Sequence, residues 1–137
     1  MMSTAWAVIV ASGKSEKFGG DHDTAFLNVA GKPVLAHVLQ KYEQAPEIEG
    51  VVIVAPKERV ENLRGLVHVF GFNKVRKIVA GTPQRSASVL AGLAALDENV
   101  EFVSIHDGSR PCLTSADIAE TLKSARRYGS GVLVTPV

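Results

Sequence analysis

Two charged side chains lie three residues apart in the segment HDGSRP, at residues 106–111. Asp107 has the residue type and the position of a ligand for a divalent cation. Arg110 could bind a phosphate or a carboxylate through its guanidinium fork. The pair therefore indicates a site for a phosphate-bearing ligand together with a metal ion.

A second segment with similar chemistry is AGTPQRSASV, at residues 80–89. Gly81 permits close approach of the backbone to a ligand, because it has no side chain. Arg85 and Ser88 follow with i, i+3 spacing at the start of a predicted helix, so both could face the same ligand.

Simpler interpretations of these residues stay open. Arg85 could be a solvated residue in the first turn of a helix, and Asp107 could pair with Arg110 to tie a loop. His106 is interpreted as structural, because it ends a buried strand without a matching acid or nucleophile nearby. Cys112 is interpreted as a small buried filler. The sequence offers no His/Cys cluster for zinc and no Ser-His-Asp arrangement.

A glycine-containing turn follows the first apolar run, where Gly13-Lys14-Ser15 looks like the end of a P-loop. The Walker A spacing fails, because the first glycine would fall on Val8, inside the strand. The dinucleotide-binding glycine pattern fails as well. What remains is a turn of small residues with Lys14 and Lys17 after it, which could cradle a phosphate or be a flexible surface loop.

Short β-branched runs alternate with helical patterns along the chain. Strands are predicted at residues 5–11, 51–55, 75–80, 102–106 and 131–137, and helices at 33–44, 57–71, 85–96 and 114–129. This alternation predicts an α/β fold, a three-layer α/β/α sandwich with a mostly parallel sheet. Ligands of such sheets bind at the carboxyl ends of the strands, which points to the loops 12–32, 80–86 and 106–114.

Local signals set the expected helix ends. Pro33 is predicted as the first residue of the first helix, and Gly71 as the stop of the second. Leu90 is expected on the buried face of the third helix. Thr114 and Asp117 have the spacing of a capping box at the start of the fourth.

Composition excludes several classes of protein. The chain has 137 residues, 46% of them hydrophobic and 21% charged, with a net charge of +1. These values predict one globular domain over residues 1–137, with no basic stripe for nucleic acid. The apolar run 5–11 is too short to span a membrane, and a single cysteine is typical of a reducing compartment. We expect a soluble, cytoplasmic protein without a nucleic-acid or membrane partner.

Three stretches carry a resemblance to a known family: GKPVLAHVL at 31–39, AGTPQRSASVLAGLAAL at 80–96 and VSIHDGSRPCLT at 103–114. They resemble the cytidylyltransferases that act on 2-C-methyl-D-erythritol 4-phosphate in isoprenoid biosynthesis. The resemblance implies a Rossmann-like nucleotidyltransferase fold. It covers the whole chain but only the N-terminal part of a family member, so the family's C-terminal segments are expected to be missing from this chain.

The resemblance also implies a reaction and a set of roles. CTP and a polyol phosphate would react to give the cytidine diphosphate product and pyrophosphate, with Mg²⁺ as cofactor. The implied nucleotide-binding residues are Ala11, Ser12, Gly13, Gly81, Thr82, Arg85, Ser88 and Arg110; the implied metal ligand is Asp107, and the implied catalytic lysines are Lys17 and Lys14. The family further suggests a homodimer, although the dimerising arm is expected to lie outside this chain.

The sequence departs from the family pattern in the phosphate loop. Thr24 stands where the second catalytic lysine is expected, and Lys17 stands in place of an arginine, which keeps the charge but loses the bidentate fork. Two alternatives therefore remain open. The chain could act on another polyol phosphate, such as ribitol 5-phosphate, or it could be a catalytically silent nucleotide-binding module.

Overall fold

The computed structural model describes residues 4–12 and 24–129. Its strands are β1 (Ala5–Val10), β2 (Asn28–Val29), β3 (Lys32–Pro33), β4 (Gly50–Ala55), β5 (Val75–Ala80) and β6 (Phe102–Asp107). The main sheet contains four parallel strands in the order β5-β4-β1-β6, and a small antiparallel hairpin pairs β2 with β3. The parallel sheet confirms the predicted fold class.

Helices cover both faces of this sheet. They are α1 (Val34–Gln44), α2 (Val60–Phe70), α3 (Arg85–Ala94) and α4 (Ser115–Tyr128), with short 3₁₀ turns at Thr24–Phe26 and Lys57–Arg59. Buried side chains of α1, α2 and α4 join one hydrophobic core, and α3 packs on the other. The result is the predicted three-layer arrangement. Among the described residues, none of the helices has both the length and the apolarity that crossing a bilayer requires.

Strand β1 shows why its sequence is continuously apolar. Ala5, Ala7 and Ile9 belong to the core under α1 and α4, and the alternating residues of β1 belong to the core under α3. Side chains of a strand point to opposite faces in turn, so a central strand covered on both faces has no polar position.

Trp6 lies at the beginning of β1, on the α3 side, and is 5% exposed. Its ring lies close against Gly50 of the neighbouring strand, where a Cβ would come within 2.5 Å of the ring. The Arg76 guanidinium lies 5.9 Å from the ring centroid. The indole therefore lies over Gly50 on the α3 face of the sheet, at the edge opposite the carboxyl ends.

Two of the predicted helix ends are confirmed and one is wrong. Gly71 ends α2 in the left-handed conformation, with φ of 70°, and Thr114 and Asp117 form the reciprocal capping box of α4. Pro33 is not the first helical residue. It caps α1 with ψ of 148° and belongs to β3, so the helix begins one residue later at Val34.

Helix α3 is shorter than predicted and presents a different face. It ends at Ala94 rather than at residue 96, and Leu90 is 65% exposed. The buried face is centred on the small residues Ser88 and Gly92. Leu90 is two residues from each, about 200° around the helix, and so points to solvent. The predicted strand at 131–137 lies outside the described residues.

Candidate active site

The carboxyl ends of β1, β5 and β6 lead into the segments that the sequence singled out. Each segment continues the hydrogen bonding of the sheet for one residue: Ala11 N donates to Val54 O (2.7 Å), Gly81 N to Ala55 O (2.8 Å) and Gly108 N to Val10 O (2.8 Å). These bonds fix the direction in which each loop leaves the sheet, and they place the loops side by side.

Ser12 and Ser88 join two of these loops under the surface. Ser12 is 5% exposed and Ser88 is fully buried, and Ser12 Oγ donates to Ser88 Oγ over 2.5 Å. Ser88 Oγ also accepts from Thr82 N (3.1 Å) and donates to Thr82 O (2.8 Å). A hydroxyl has one proton and two lone pairs, so these three bonds use its full capacity. Helix α3 is thereby fastened to the loops after β1 and β5.

Gly81 lies where these loops come together. A Cβ at this position would lie 2.6 Å from Val54 Cγ1 and 2.8 Å from Ser12 Oγ. Only glycine lets the loop after β5 pass this close to the loop after β1.

The residues after Gly81 form a compact turn into α3. The Thr82 hydroxyl donates to Gln84 O and accepts from Gln84 N, both over 3.2 Å. Arg85, the first residue of α3, is exposed, whereas Ser88 faces inward. The two side chains that were expected to face one ligand thus differ sharply in exposure.

Asp107 and Arg110 belong to the loop after β6. Asp107 Oδ1 accepts hydrogen bonds from Ser109 N (3.0 Å) and Ser109 Oγ (2.7 Å). Asp107 Oδ2 lies 3.8 Å from Arg110 Nε, and the two side chains are 34% and 79% exposed. The long contact between Asp107 and Arg110 therefore constrains the loop only weakly, and both charged groups remain accessible to a ligand.

A groove of about 1140 Å³ begins at these groups and runs along β6 and α4. Arg85, Asp107 and Arg110 line one end of it, and Tyr42 lies in its wall. Burial raises the pKa of the Tyr42 phenol to about 12, partly offset by its hydrogen bond to Ser104 Oγ, 2.8 Å away. The sequence analysis assigned neither Tyr42 nor Ser104 to the site, although Ser104 lies within the stretch 103–114 that carries the family resemblance.

The described residues provide few side chains that could bind a metal ion. None of the described residues belongs to a group of three or more His, Cys, Asp and Glu side chains that could enclose one. Asp107 supplies one accessible carboxylate, and Mg²⁺ is commonly held by one or two carboxylates together with substrate phosphates. Within residues 4–12 and 24–129, this donor set fits Mg²⁺ shared with the phosphates of a ligand.

Several predicted site residues lie outside the described part of the chain: Gly13, Lys14 and Lys17. Thr24, at the expected lysine position, lies at the start of a 3₁₀ turn. Its buried hydroxyl has no hydrogen-bond partner among the described residues. Cys112 is exposed, so its interpretation as a buried filler was wrong. The residue follows Pro111 in an irregular segment before α4 rather than packing under a helix.

Comparison with known proteins identifies the family to which this chain belongs. The model of the 2-C-methyl-D-erythritol 4-phosphate cytidylyltransferase family (IspD) matches residues 5–137. The chain belongs to this family. The cytidylyltransferase of this name from Dehalococcoides mccartyi is 41% identical over 96% of the chain, and that from Halalkalibacterium halodurans is 38% identical over 95%.

Solved structures of cytidylyltransferases have the same fold. The 4-diphosphocytidyl-2C-methyl-D-erythritol synthase from Anaerococcus prevotii superposes with a TM-score of 0.77 at 26% identity, covering 91% of this chain and 52% of that one. The present chain spans 57% of the length of the Dehalococcoides and Halalkalibacterium cytidylyltransferases.

Proposed function

We propose that this protein transfers a cytidylyl group from CTP to 2-C-methyl-D-erythritol 4-phosphate and releases pyrophosphate. The observation that carries the proposal is the junction at the sheet edge. There the close backbone approach at Gly81 and the accessible charges of Asp107 and Arg110 occur together. Relatives at 38–41% identity carry the name of this activity.

In this reaction the protein mainly positions the reacting groups and neutralises their negative charge. An oxygen of the acceptor phosphate attacks the α-phosphorus of CTP in line, and the bond to the β-phosphate breaks as pyrophosphate leaves. In this proposal the backbone of Ala11, Ser12 and Gly13 lines the nucleotide. Gly81, Thr82 and Ser88 shape the cytosine and ribose side.

Charged residues would balance the triphosphate. We assign Arg85 and Arg110 to the rim of the site and Lys14 and Lys17 to the developing negative charge. Asp107 would hold Mg²⁺, which neutralises phosphate oxygens when bound. Ser109 already engages Oδ1, so the oxygen left for the metal ion is Oδ2, which lies 3.8 Å from Arg110 Nε on a side chain that is 34% exposed.

A second candidate is a catalytically silent nucleotide-binding module, and one observation favours it. Thr24 cannot supply the positive charge of the lysine expected at its position. Loss of one preorganised group from a transfer site costs on the order of 10²–10³ in rate. A third alternative keeps the chemistry and changes the acceptor to another polyol phosphate, such as ribitol 5-phosphate.

Calorimetry and a pyrophosphate assay separate these candidates. We expect the chain to bind CTP more tightly with Mg²⁺ than without it, and to release pyrophosphate only when 2-C-methyl-D-erythritol 4-phosphate is added. CTP binding without release for either acceptor would establish the silent module. Release with ribitol 5-phosphate alone would reassign the acceptor. Absence of CTP binding at millimolar nucleotide would contradict the cytidylyltransferase and the silent module alike.

Asp107→Asn tests the metal assignment, and Asp97→Asn is the matched control. Asp97 is an exposed carboxylate near Lys77, 3.7 Å away, outside the site. We expect Asp107→Asn to abolish the Mg²⁺-dependent gain in CTP affinity and Asp97→Asn to preserve it. An unchanged Mg²⁺ dependence in Asp107→Asn would refute the assignment.

The proposal includes the cellular location and the oligomeric state of the enzyme. A cytoplasmic location is supported by the use of a single cysteine, which is typical of reducing compartments. A homodimer is proposed from the family resemblance alone. Gel filtration of the protein would test it directly.

A further inference from the structure

His106 makes a contact that closes the loop after β6. Its Nε2 lies 2.8 Å from the carbonyl oxygen of Arg110. A carbonyl oxygen can only accept, so Nε2 carries the proton in this bond. Arg110 N in turn donates to Asp107 O over 3.1 Å. The backbone of Arg110 is therefore held on both sides, by the imidazole and by the last residue of β6.

The orientation of the Asp107 carboxylate depends on the same loop. Its Oδ1 accepts from the backbone and the hydroxyl of Ser109, which precedes Arg110. Gly108, which lies between Asp107 and Ser109, donates its backbone N–H to Val10 O of β1. If the loop opened at Arg110, Ser109 would move and Asp107 would lose both bonds that fix its carboxylate.

The imidazole is itself held by a rigid neighbour. Its ring centroid lies 6.1 Å from that of Tyr42, at an interplanar angle of 53°. Tyr42 is 1% exposed on α1, and its hydroxyl bonds to Ser104 Oγ. Ser104 and His106 lie two residues apart on β6 and so share one face of the sheet. Tyr42 of helix α1 therefore packs against the imidazole and supports its position.

We propose that His106 is a positioning residue for the candidate metal site. It holds the loop 107–110 so that the Asp107 carboxylate and the Arg110 guanidinium face the same metal–triphosphate. The inference rests on the proposed function, because it assumes that Asp107 binds Mg²⁺ in the presence of CTP. It gives the histidine a role that acts through the backbone of this loop.

His106→Ala and His106→Gln form the test pair. The glutamine amide nitrogen is separated from Cβ by the same number of bonds as the histidine Nε2, so glutamine can restore the bond to Arg110 O. In His106→Ala we expect the amide hydrogens of Ser109 and Arg110 to exchange about tenfold faster. We expect His106→Gln to return them towards the wild-type rate, and the amide of Val52 in the core to be unaffected in both variants.

The second measurement is the gain in CTP affinity on adding Mg²⁺, measured by calorimetry. Loss of a residue that orients a metal ligand typically lowers metal affinity about tenfold or more, so His106→Ala should lose most of this gain and His106→Gln should regain it. Unchanged exchange at Arg110 in His106→Ala would overturn the proposal. Faster exchange with an intact Mg²⁺ gain would overturn it as well.

Failure of the proposed function gives a different result. In that case the wild-type chain itself would show no Mg²⁺-dependent CTP binding. The exchange rates of Ser109 and Arg110 need no ligand, and they would still support or overturn the role of His106 in holding the loop.

Discussion

The hydroxyl oxygens of Ser12 and Ser88 lie 2.5 Å apart, although the residues are 76 positions apart in the chain. Ser12 follows the central strand of the sheet, and Ser88 belongs to the helix that covers one face. With Thr82 as the third partner, this contact connects the loops after β1 and β5. The arrangement of these two loops, which we propose to lie beside the nucleotide, therefore depends on the buried hydroxyl of Ser88.

Ser88→Ala should lower the free energy of unfolding by about 1–3 kcal/mol, because it leaves buried polar groups of Ser12 and Thr82 without a partner. Urea denaturation measures this change. Ser86→Ala, at an exposed serine of the same helix, is the control and should stay within about 0.5 kcal/mol of wild type. The double variant of Ser12→Ala and Ser88→Ala should be less destabilised than the sum of the single variants. Strict additivity would show that the two hydroxyls are not coupled.

Gly81→Ala should destabilise the fold and weaken CTP binding, because its methyl group would overlap Val54 and Ser12. The cost should be about 1–3 kcal/mol, typical of overpacking. Gly65→Ala is the matched control. Gly65 lies within α2 with nothing within 4 Å of the added methyl, so the same substitution there should stabilise the protein by about 0.5–1 kcal/mol. Thermal unfolding of both variants, with CTP titration of each, measures the contrast. Equal stability of the two variants would contradict the close packing at Gly81.

The stability of the protein should fall between pH 10 and about pH 12. The Tyr42 phenol has an ordinary pKa of 10.0, and burial raises it to about 12 in the folded chain. Below pH 10 the phenol is protonated in both the folded and the unfolded chain, so its contribution to the free energy of unfolding is fully present. Above pH 10 the unfolded chain loses the proton first, which lowers the free energy of unfolding by roughly 2 kcal/mol at pH 12. Urea denaturation across this range should show a smaller decline in Tyr42→Phe than in wild type. An identical decline in both would assign the effect to other groups.

Thr24→Lys should increase the rate of pyrophosphate release, because it restores a positive charge at the expected position. A gain of about tenfold or more is reasonable for one preorganised charge. Thr24→Met adds a side chain of comparable length without the charge and should not increase the rate. Removing the threonine hydroxyl should not cost stability through a lost bond, since it has no hydrogen-bond partner within residues 4–12 and 24–129. Equal rates in the two variants would show that charge at this position is not limiting.

The sheet and its helices were predictable because burial dictates their patterns. Continuous apolar runs gave the covered strands β1 and β4, and Gly71 and the capping pair of Thr114 and Asp117 marked helix ends correctly. Leu90 was placed wrongly because α3 lies on the sheet through Ser88 and Gly92, and small residues contribute nothing to an apolar periodicity. The hairpin of β2 and β3 was missed, because two-residue strands carry no periodicity.

The position of Asp107 and Arg110 after a strand was predictable from the sequence, whereas the contacts within the candidate site were not. Placement of Asp107 and Arg110 at the end of a strand followed from the alternation of elements. That Ser88 would bond to Ser12 could not be inferred, because it depends on how closely α3 approaches the central strand. The same holds for His106, whose bond to Arg110 O depends on the shape of a loop.

Because Trp6 is buried, its fluorescence reports on the folded state of the protein. It is the sole tryptophan of the chain, and it lies at the amino end of the sheet, away from the loops that carry Ser12, Gly81 and Asp107. Its fluorescence should shift to longer wavelength when the strands separate and water reaches the indole. Nucleotide binding at the opposite edge should leave the emission largely unchanged, so the emission reports only whether the fold is intact. A variant that keeps the wild-type emission and shows no CTP binding by calorimetry has lost binding and not its fold.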